Sequence, residues 1–190
     1  PLRARSVRRD HARACKRVAE GAPWLYREGL SLDVPSDADV VQLSDGKRIV
    51  ATAFFCPAGP IALRLLGMGS LTFDRAFVAA RLRAAATRRD RLPAFERGGA
   101  YRWVHGEADG LPGLFVDRYE DVAVIQTMTR AWEAPAQTEL LVAALREVMQ
   151  PRLIVARNDG SARDFESLPR GKHVLFGDGS TRVSYRDAGS

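Results

Sequence analysis

Cysteine is scarce. The 190 residues hold two, Cys15 and Cys56, too few for a disulfide framework and without the paired spacing of a zinc site. Histidine is scarce as well. His11, His105 and His173 are scattered along the chain, so no metal site is expected. No run of about eighteen apolar residues occurs, which excludes a membrane-spanning helix. The basic opening Pro1-Leu2-Arg3-Ala4-Arg5 has no apolar segment behind it and is not a secretory leader. A chain that opens on proline is expected to have lost something before it. Two free thiols fit a reducing, cytoplasmic setting.

What the sequence has in excess is arginine. The net charge is +6, and it is concentrated. Residues 1–20 carry seven basic side chains, Arg13, Lys16 and Arg17 among them, against Asp10 and Glu20. Residues 75–97 carry seven more, including Arg81, Arg88 and Arg89, against Asp90 and Glu96. Each block nets +5, which leaves −4 for the remainder. Basic charge held in patches attracts a polyanion, with a salt-dependent affinity that comes from counterion release. The same arginines also suit a solvated helix face, and charge alone does not separate the two readings. The apolar fraction of 46% is that of a globular protein, and the length suits one large or two small domains.

Residues 1–72 read as a small all-β unit behind a short helix. Arg8–Ala19 forms the helix, ended by Gly21. Trp24 and Tyr26 share one face of an entering strand. Asp39–Leu43 and Arg48–Phe55 are strands joined at Asp45-Gly46, a pair that supplies positive φ readily. After the turn Cys56-Pro57-Ala58-Gly59-Pro60, Ile61–Leu66 is a further strand with Arg64 opposite its apolar face. Trp24 either packs the core of this unit or stacks on a base. Arg64 either meets a phosphate or sits on the sheet surface near Asp39. Short strands without a crossover helix suggest a small barrel or sandwich.

Residues 73–98 read as a basic connecting helix. Thr72 can cap it, Asp74 favours its first turn, alanines raise its propensity, and Pro93 stops it. Residues 99–190 read as a small α+β domain. Its strands are Tyr101–Val104, Leu114–Tyr119 and Val122–Thr127. A helix then begins at Pro135, and strands follow at Arg152–Ala156, Lys172–Phe176 and Arg182–Tyr185. Between the first two strands lies His105-Gly106-Glu107-Ala108-Asp109-Gly110-Leu111-Pro112-Gly113, with turn signals at Asp109-Gly110 and Pro112-Gly113. Those turns could cradle a phosphate on backbone amides. Glu107 and Asp109 could form a carboxylate pair across a cleft. The plainer reading has them capping turns or pairing with Arg102, Arg118 or Arg157. Asp117 with Arg118 reads as an ion pair or loop anchor.

These motifs carry a resemblance. Ala22-Pro23-Trp24, the Asp45-Gly46 hairpin and the arginine-bearing strand Ile61–Leu66 resemble a PUA domain, in the version found at the front of large-subunit ribosomal RNA cytosine-5 methyltransferases. Relatives there have histidine where this chain has Ala22. The run Gly106–Gly113 followed by Val116-Asp117-Arg118-Tyr119, then Gln126 and Arg157-Asn158-Asp159, is similar to the central domain of the same enzymes. Glu166-Ser167 stands where many have glutamate-glycine. The resemblance implies a mixed fold: a PUA-like all-β pseudo-barrel (1–72), a connecting helix (73–98) and a central domain of β-β-β-α-β-β order (99–190).

The resemblance also implies a function. These enzymes take their nucleophilic cysteine and their S-adenosylmethionine site from a C-terminal Rossmann-like domain. Neither Cys15 nor Cys56 has the neighbouring base of an activated nucleophile. No glycine fingerprint opens a helix in a βαβ unit. Asp187-Ala188-Gly189 looks like the start of the segment leading into the methyl-donor domain. The chain is therefore expected to be the RNA-recognition piece of a longer methyltransferase, itself not catalytic and without cofactor, with the catalytic domain absent. RNA contact is expected from Arg13, Lys16, Arg17, Arg64, Arg81, Arg88 and Arg89, and the motif positions are Glu107, Asp109, Gly110, Pro112, Gly113, Asp117, Arg118 and Arg157. The partners expected are RNA, ribosomal by the resemblance, and a second copy of the chain. A standalone RNA- or ribosome-binding module and a dimerisation module with merely solvated arginines stand as alternatives.

Overall fold

The computed structural model describes residues 2–6, 11–28, 30, 32–37, 39–90, 100–178 and 181. It has a two-part, mixed α/β architecture. The first part contains β1 (Leu2–Ser6), α1 (His11–Ala19), β2 (Trp24–Tyr26), β3 (Leu32–Asp33), β4 (Val40–Ser44), β5 (Ile49–Phe55) and β6 (Ile61–Met68). Its sheet runs β2-β6-β5-β4-β1-β3. Neighbours are antiparallel except β1 and β4, which are parallel. β1 has no counterpart in the sequence reading. Leu-Arg-Ala-Arg-Ser lacks β-branched residues, and its strand character comes from pairing with β4 and β3 rather than from propensity. No pairing of β2 with β3 closes this sheet among the described residues.

The β4–β5 hairpin follows from local chemistry. The Asp45 carboxylate accepts from the Lys47 and Arg48 amides, both at 2.9 Å. Ala14 and Val18 of α1 are buried against Leu25, Leu43, Ala51 and Leu63, while Arg13, Lys16 and Arg17 face solvent.

α2 (Arg75–Arg89) follows. Its cap is Asp74, not Thr72. The Asp74 carboxylate accepts from the Phe77 amide at 2.8 Å, and a charged acceptor beside the positive helix end is stronger than a hydroxyl. Pro93, expected to stop this helix, lies outside the described residues.

The second part contains β7 (Ala100–His105), β8 (Leu114–Tyr119), β9 (Val122–Thr127), α3 (Pro135–Met149), β10 (Leu153–Asn158) and β11 (Gly171–Phe176), with short 3-10 turns at Gly106–Asp109, Arg130–Trp132 and Ser161–Glu166. The sheet order is β11-β10-β9-β8-β7. β9 and β10 are parallel, and α3 is the crossover that a parallel pair requires. The strand expected at Arg182–Tyr185 lies outside the described residues.

One core joins the parts. Val78 and Leu82 of α2, Leu141 and Leu145 of α3, and Trp103, Leu114, Ile125 and Ile154 of the second sheet pack together, and Phe54 and Leu66 of the first sheet belong to the same cluster. The Phe54 ring meets Phe73 and Trp132 edge-on at 5.1 and 5.2 Å between centroids, an arrangement that adds to simple burial. The Trp132 indole donates to the Pro112 carbonyl at 2.8 Å. Gly59, at φ 82°, lets the first part come so close to the second that a Cβ would lie 2.7 Å from the Phe165 carbonyl oxygen. Phe54→Ala removes the ring at the centre of this contact. It is expected to lower the unfolding free energy by about 3–5 kcal/mol, measured as a shift of the denaturant midpoint.

Candidate functional site

The stretch between β7 and β8 folds back against both α2 and β6. Gly106–Asp109 is a single 3-10 turn ended by Gly110 in the left-handed region, φ 68°. The Gly110 amide donates to the Glu107 carbonyl and the Leu111 amide to the Gly106 carbonyl, which satisfies the carbonyls that a helix end leaves open. A Cβ on Gly110 would lie 3.1 Å from Arg81 Nε, so the turn depends on glycine to approach α2.

The two carboxylates of this turn find partners remote in sequence. Asp109 is buried. It accepts from Arg89 Nη2 at 2.7 Å, Arg88 Nη2 at 2.5 Å and the His105 amide at 2.7 Å. Burial alone would push its carboxyl up. The bonds from Arg89, Arg88 and the His105 amide outweigh burial and hold it below the usual carboxylate range. Glu107 accepts from the Trp24 indole at 2.8 Å and from Arg64 Nη1 at 3.3 Å. Arg64 also donates to Glu166 at 3.0 Å, and Glu166 accepts from the Arg130 amide at 2.9 Å. The Arg64 and Glu166 side chains are 14% and 3% exposed.

Several expected pairings are thereby corrected. Glu107 and Asp109 pair with Arg64, Arg88 and Arg89, not with Arg102, Arg118 or Arg157, because the turn packs across to α2 and β6 rather than along its own sheet. Arg64 does not lie on an open sheet surface; it is clamped between two glutamates, Glu107 and Glu166. Asp117 pairs with Arg102 at 2.8 Å rather than with Arg118, since Arg102 stands opposite it in the β7–β8 register. Arg118 donates to the Glu120 carbonyl instead. Trp24 is half-buried at the junction, with the Arg64 guanidinium 6.0 Å from its ring centroid.

A cavity of about 310 Å³ opens beside the turn, walled by Arg81, Arg88, Glu107 and Asp109 together with Gly67 and Ala84. Arg81 lies 5.0 Å from the Phe77 ring centroid and donates to the Leu66 carbonyl at 3.3 Å. No carboxylate pairs with it among the described residues. Arg88 shares Asp109 with Arg89. The wall thus holds two guanidinium groups and two carboxylates; both carboxylates are ion-paired, and Arg81 is the cation left without one.

The remaining expected positions lie elsewhere. Lys16 pairs with Glu20 at 3.7 Å on an exposed face, and the Arg17 guanidinium is 6.0 Å from the Tyr26 ring centroid. Arg13, Arg17 and Tyr26 line a second cavity of about 480 Å³. Arg157 pairs with Asp159 at 3.6 Å. Pro112 and Gly113 place carbonyls that accept from Trp132 and from the Met128 amide.

Two residues of the network escaped the sequence reading. Arg163 is buried and donates to Glu133, the Pro169 carbonyl and the Thr127 carbonyl. No local pattern marks a buried arginine in a turn. Glu166 drew notice only for Ser167 beside it, and Ser167 adopts the left-handed conformation that glycine favours, φ 54°. Burial, then the Glu166 charge, push the Cys56 thiol up, and burial does the same for Cys15.

No protein-family model matches the chain. It is similar to a ribosomal RNA large subunit methyltransferase of Deinococcus radiodurans, 40% identical over 124 residues, which is 60% of this chain and 30% of that protein. It is also similar to ribosomal RNA large subunit methyltransferase I of Photobacterium profundum, 30% identical over 186 residues, 93% of this chain and 42% of that protein. Among solved structures, one provisionally assigned as a SAM-dependent methyltransferase of Streptococcus mutans matches with TM-score 0.72 at 17% identity, over 94% of this chain and 43% of that one. Another methyltransferase structure, in complex with SAH, matches equally well over 95% of this chain and 43% of that one. The chain thus spans less than half the length of these relatives.

These matches correct the functional expectation. Nearly the whole chain superposes on 43% of each of these structures, so it shares the fold of that part of them rather than standing apart from them. The readings of the chain as a piece lacking its catalytic domain, as non-catalytic and as taking no part in cofactor binding lose their basis with that finding.

The geometry generates two stability predictions. Asp109→Asn leaves two guanidinium groups short of a carboxylate and is expected to cost about 3 kcal/mol. The folded carboxyl lies below its unfolded value, so its stabilisation is complete above about pH 3.9 and is lost as pH falls through the lower folded value. Denaturation followed from neutral pH into that acid range is expected to show a shallower loss in the variant than in the wild type. Ser167→Gly relieves the left-handed serine and is expected to raise stability by about 0.5–1 kcal/mol, read as a higher Tm.

Proposed function

We propose that this chain works in the S-adenosylmethionine-dependent methylation of large-subunit ribosomal RNA, and that its arginines hold the RNA backbone. The observation that carries the reading is the state of Arg81, a guanidinium at the turn held by an aromatic face and one carbonyl. Arg81 rests on Phe77 without a carboxylate partner among the described residues, and Arg88 divides one aspartate with Arg89. A guanidinium oriented by an aromatic face and a single carbonyl keeps donors for a phosphate. The exposed Arg13, Lys16 and Arg17 of α1 supply a second basic surface, carried on the first sheet, whose strand pattern we take as PUA-like. The large-subunit RNA comes from the shared description of the sequence relatives.

The methyl donor carries one carboxylate and no phosphate, and a helix start or an amide-rich turn could meet that carboxylate. The crossover helix α3 begins at Ala134-Pro135, where proline removes one of the free amides, so this helix start does not fit that role. No single residue is assigned to the donor.

RNA affinity is expected to fall steeply with salt. Arg81→Ala is expected to weaken binding about uniformly across RNA sequences and to reduce the slope of log affinity against log salt by about 1, as for loss of one phosphate contact. Filter binding across a salt series measures both. An affinity that does not change with salt overturns the proposal.

A further inference from the structure

Among the described residues, helices cover one of the two faces of the second sheet. α2 and α3 pack on the face that carries Leu114, Val116, Ile125 and Ile154. Strand alternation turns Tyr119, Val124, Val155 and Arg157 to the opposite face. Cross-strand register then adds Val174 opposite Val155 and Lys172 opposite Arg157. This face holds a cavity of about 480 Å³ whose lining includes all six, a volume within the range that takes a nucleotide-sized ligand.

Its chemistry is graded. Val124, Val155 and Val174 make an apolar floor, and Val174 is 53% exposed, an uncommon state for a valine in a strand flanked by charge. The Tyr119 ring forms one wall. Arg157 and Lys172 stand at the rim with side chains 62% and 61% exposed, and both reach the same Asp159, at 3.6 and 3.0 Å. Two cations divide one carboxylate, so the rim keeps a net positive charge. An apolar, aromatic-walled floor beneath a basic rim suits a base that has left its stack, with its phosphate against the cations. A paired helix keeps its bases stacked inside and offers the floor nothing to bury.

We propose that this sheet face binds an unpaired nucleotide of the RNA substrate, with the base on the valine floor beside Tyr119 and the phosphate at Arg157 and Lys172. The inference rests on the reading that the chain binds RNA, but it uses none of the residues at the Arg81 cavity. The two are therefore separable by experiment.

The test compares a single-stranded oligoribonucleotide with a fully paired RNA of equal length, binding each to the wild type and to Lys172→Glu, Tyr119→Ala and Arg81→Glu. Lys172 is exposed, so Lys172→Glu retains a folded protein even where Tyr119→Ala lowers Tm, and circular dichroism confirms it. The expected result is at least about a five-fold loss of single-strand affinity in Lys172→Glu and Tyr119→Ala, with paired-RNA affinity little changed, and recovery in Tyr119→Trp. Single-strand binding unaltered in Lys172→Glu and Tyr119→Ala but lost in Arg81→Glu overturns this site and leaves the RNA reading standing. Absence of any RNA binding by the wild type overturns both. A dimer that Lys172→Glu dissociates, with RNA affinity unchanged, assigns the face to protein contact and overturns the proposal.

Discussion

Arg64 brings a full positive charge from β6 into a junction from which most water is excluded, and two glutamates from the other part of the molecule meet it there. Removing a charged partner in such a place leaves the other desolvated and unpaired, typically at about 3–5 kcal/mol. That penalty holds the two sheets in one relative position. Glu107 adds a bond from the Trp24 indole, so the first strand after α1 is tied to the same point. Two residues further on, Asp109 does for α2 what Glu107 does for β6. A single tight turn thus sets the first sheet, the helix and the second sheet against one another.

The apolar contacts agree with the polar ones. Phe54, Phe73 and Trp132 stack edge to face across the line where the polar clamp sits, and the Trp132 indole bonds the loop that carries the turn. Packing supplies most of the stabilisation, while the ion pairs select one arrangement among those that packing would tolerate. Asp109 serves two arginines and Arg64 two glutamates, so the ion-paired network is neutral and Arg81 beside it is the guanidinium without a carboxylate among the described residues. The charge left over faces a cavity, and that is how an element that braces the fold also presents a guanidinium group outward.

Much of the element pattern was legible in the sequence, and the reasons are local. Asp45-Gly46 bonds its own hairpin, Pro135 opens α3 at the first turn, and most strands of the two sheets, β1 and β3 apart, announce themselves by their apolar residues. The two-part mixed architecture follows from them. What was not legible depends on partners far along the chain. Leu2–Ser6 becomes a strand only because β4 and β3 lie beside it. Thr72 was the expected cap of α2 and Asp74 a first-turn residue, yet Asp74, the stronger acceptor, took the cap. Glu107, Asp109 and Arg64 stood out as charged positions, yet nothing in their neighbours named their mates. Arg163 left no trace at all, since a buried arginine in a turn has no sequence period. The functional reading erred in a different way. Missing glycine and cysteine motifs led to a recognition piece set apart from the enzyme, whereas the fold comparison places nearly the whole chain within methyltransferase structures.

The clamp on Arg64 also bears on biosynthesis. Glu166 follows Arg64 by 102 residues and Glu107 follows it by 43. A ribosome adding about 5–20 residues per second needs roughly 5–20 s to make the longer span. Throughout that interval the nascent first sheet carries an arginine aimed at a junction whose far wall has not yet been translated. The earlier segment can gather its strands, but it has no counterion to lock against until the later one emerges, so final docking is a late event of synthesis.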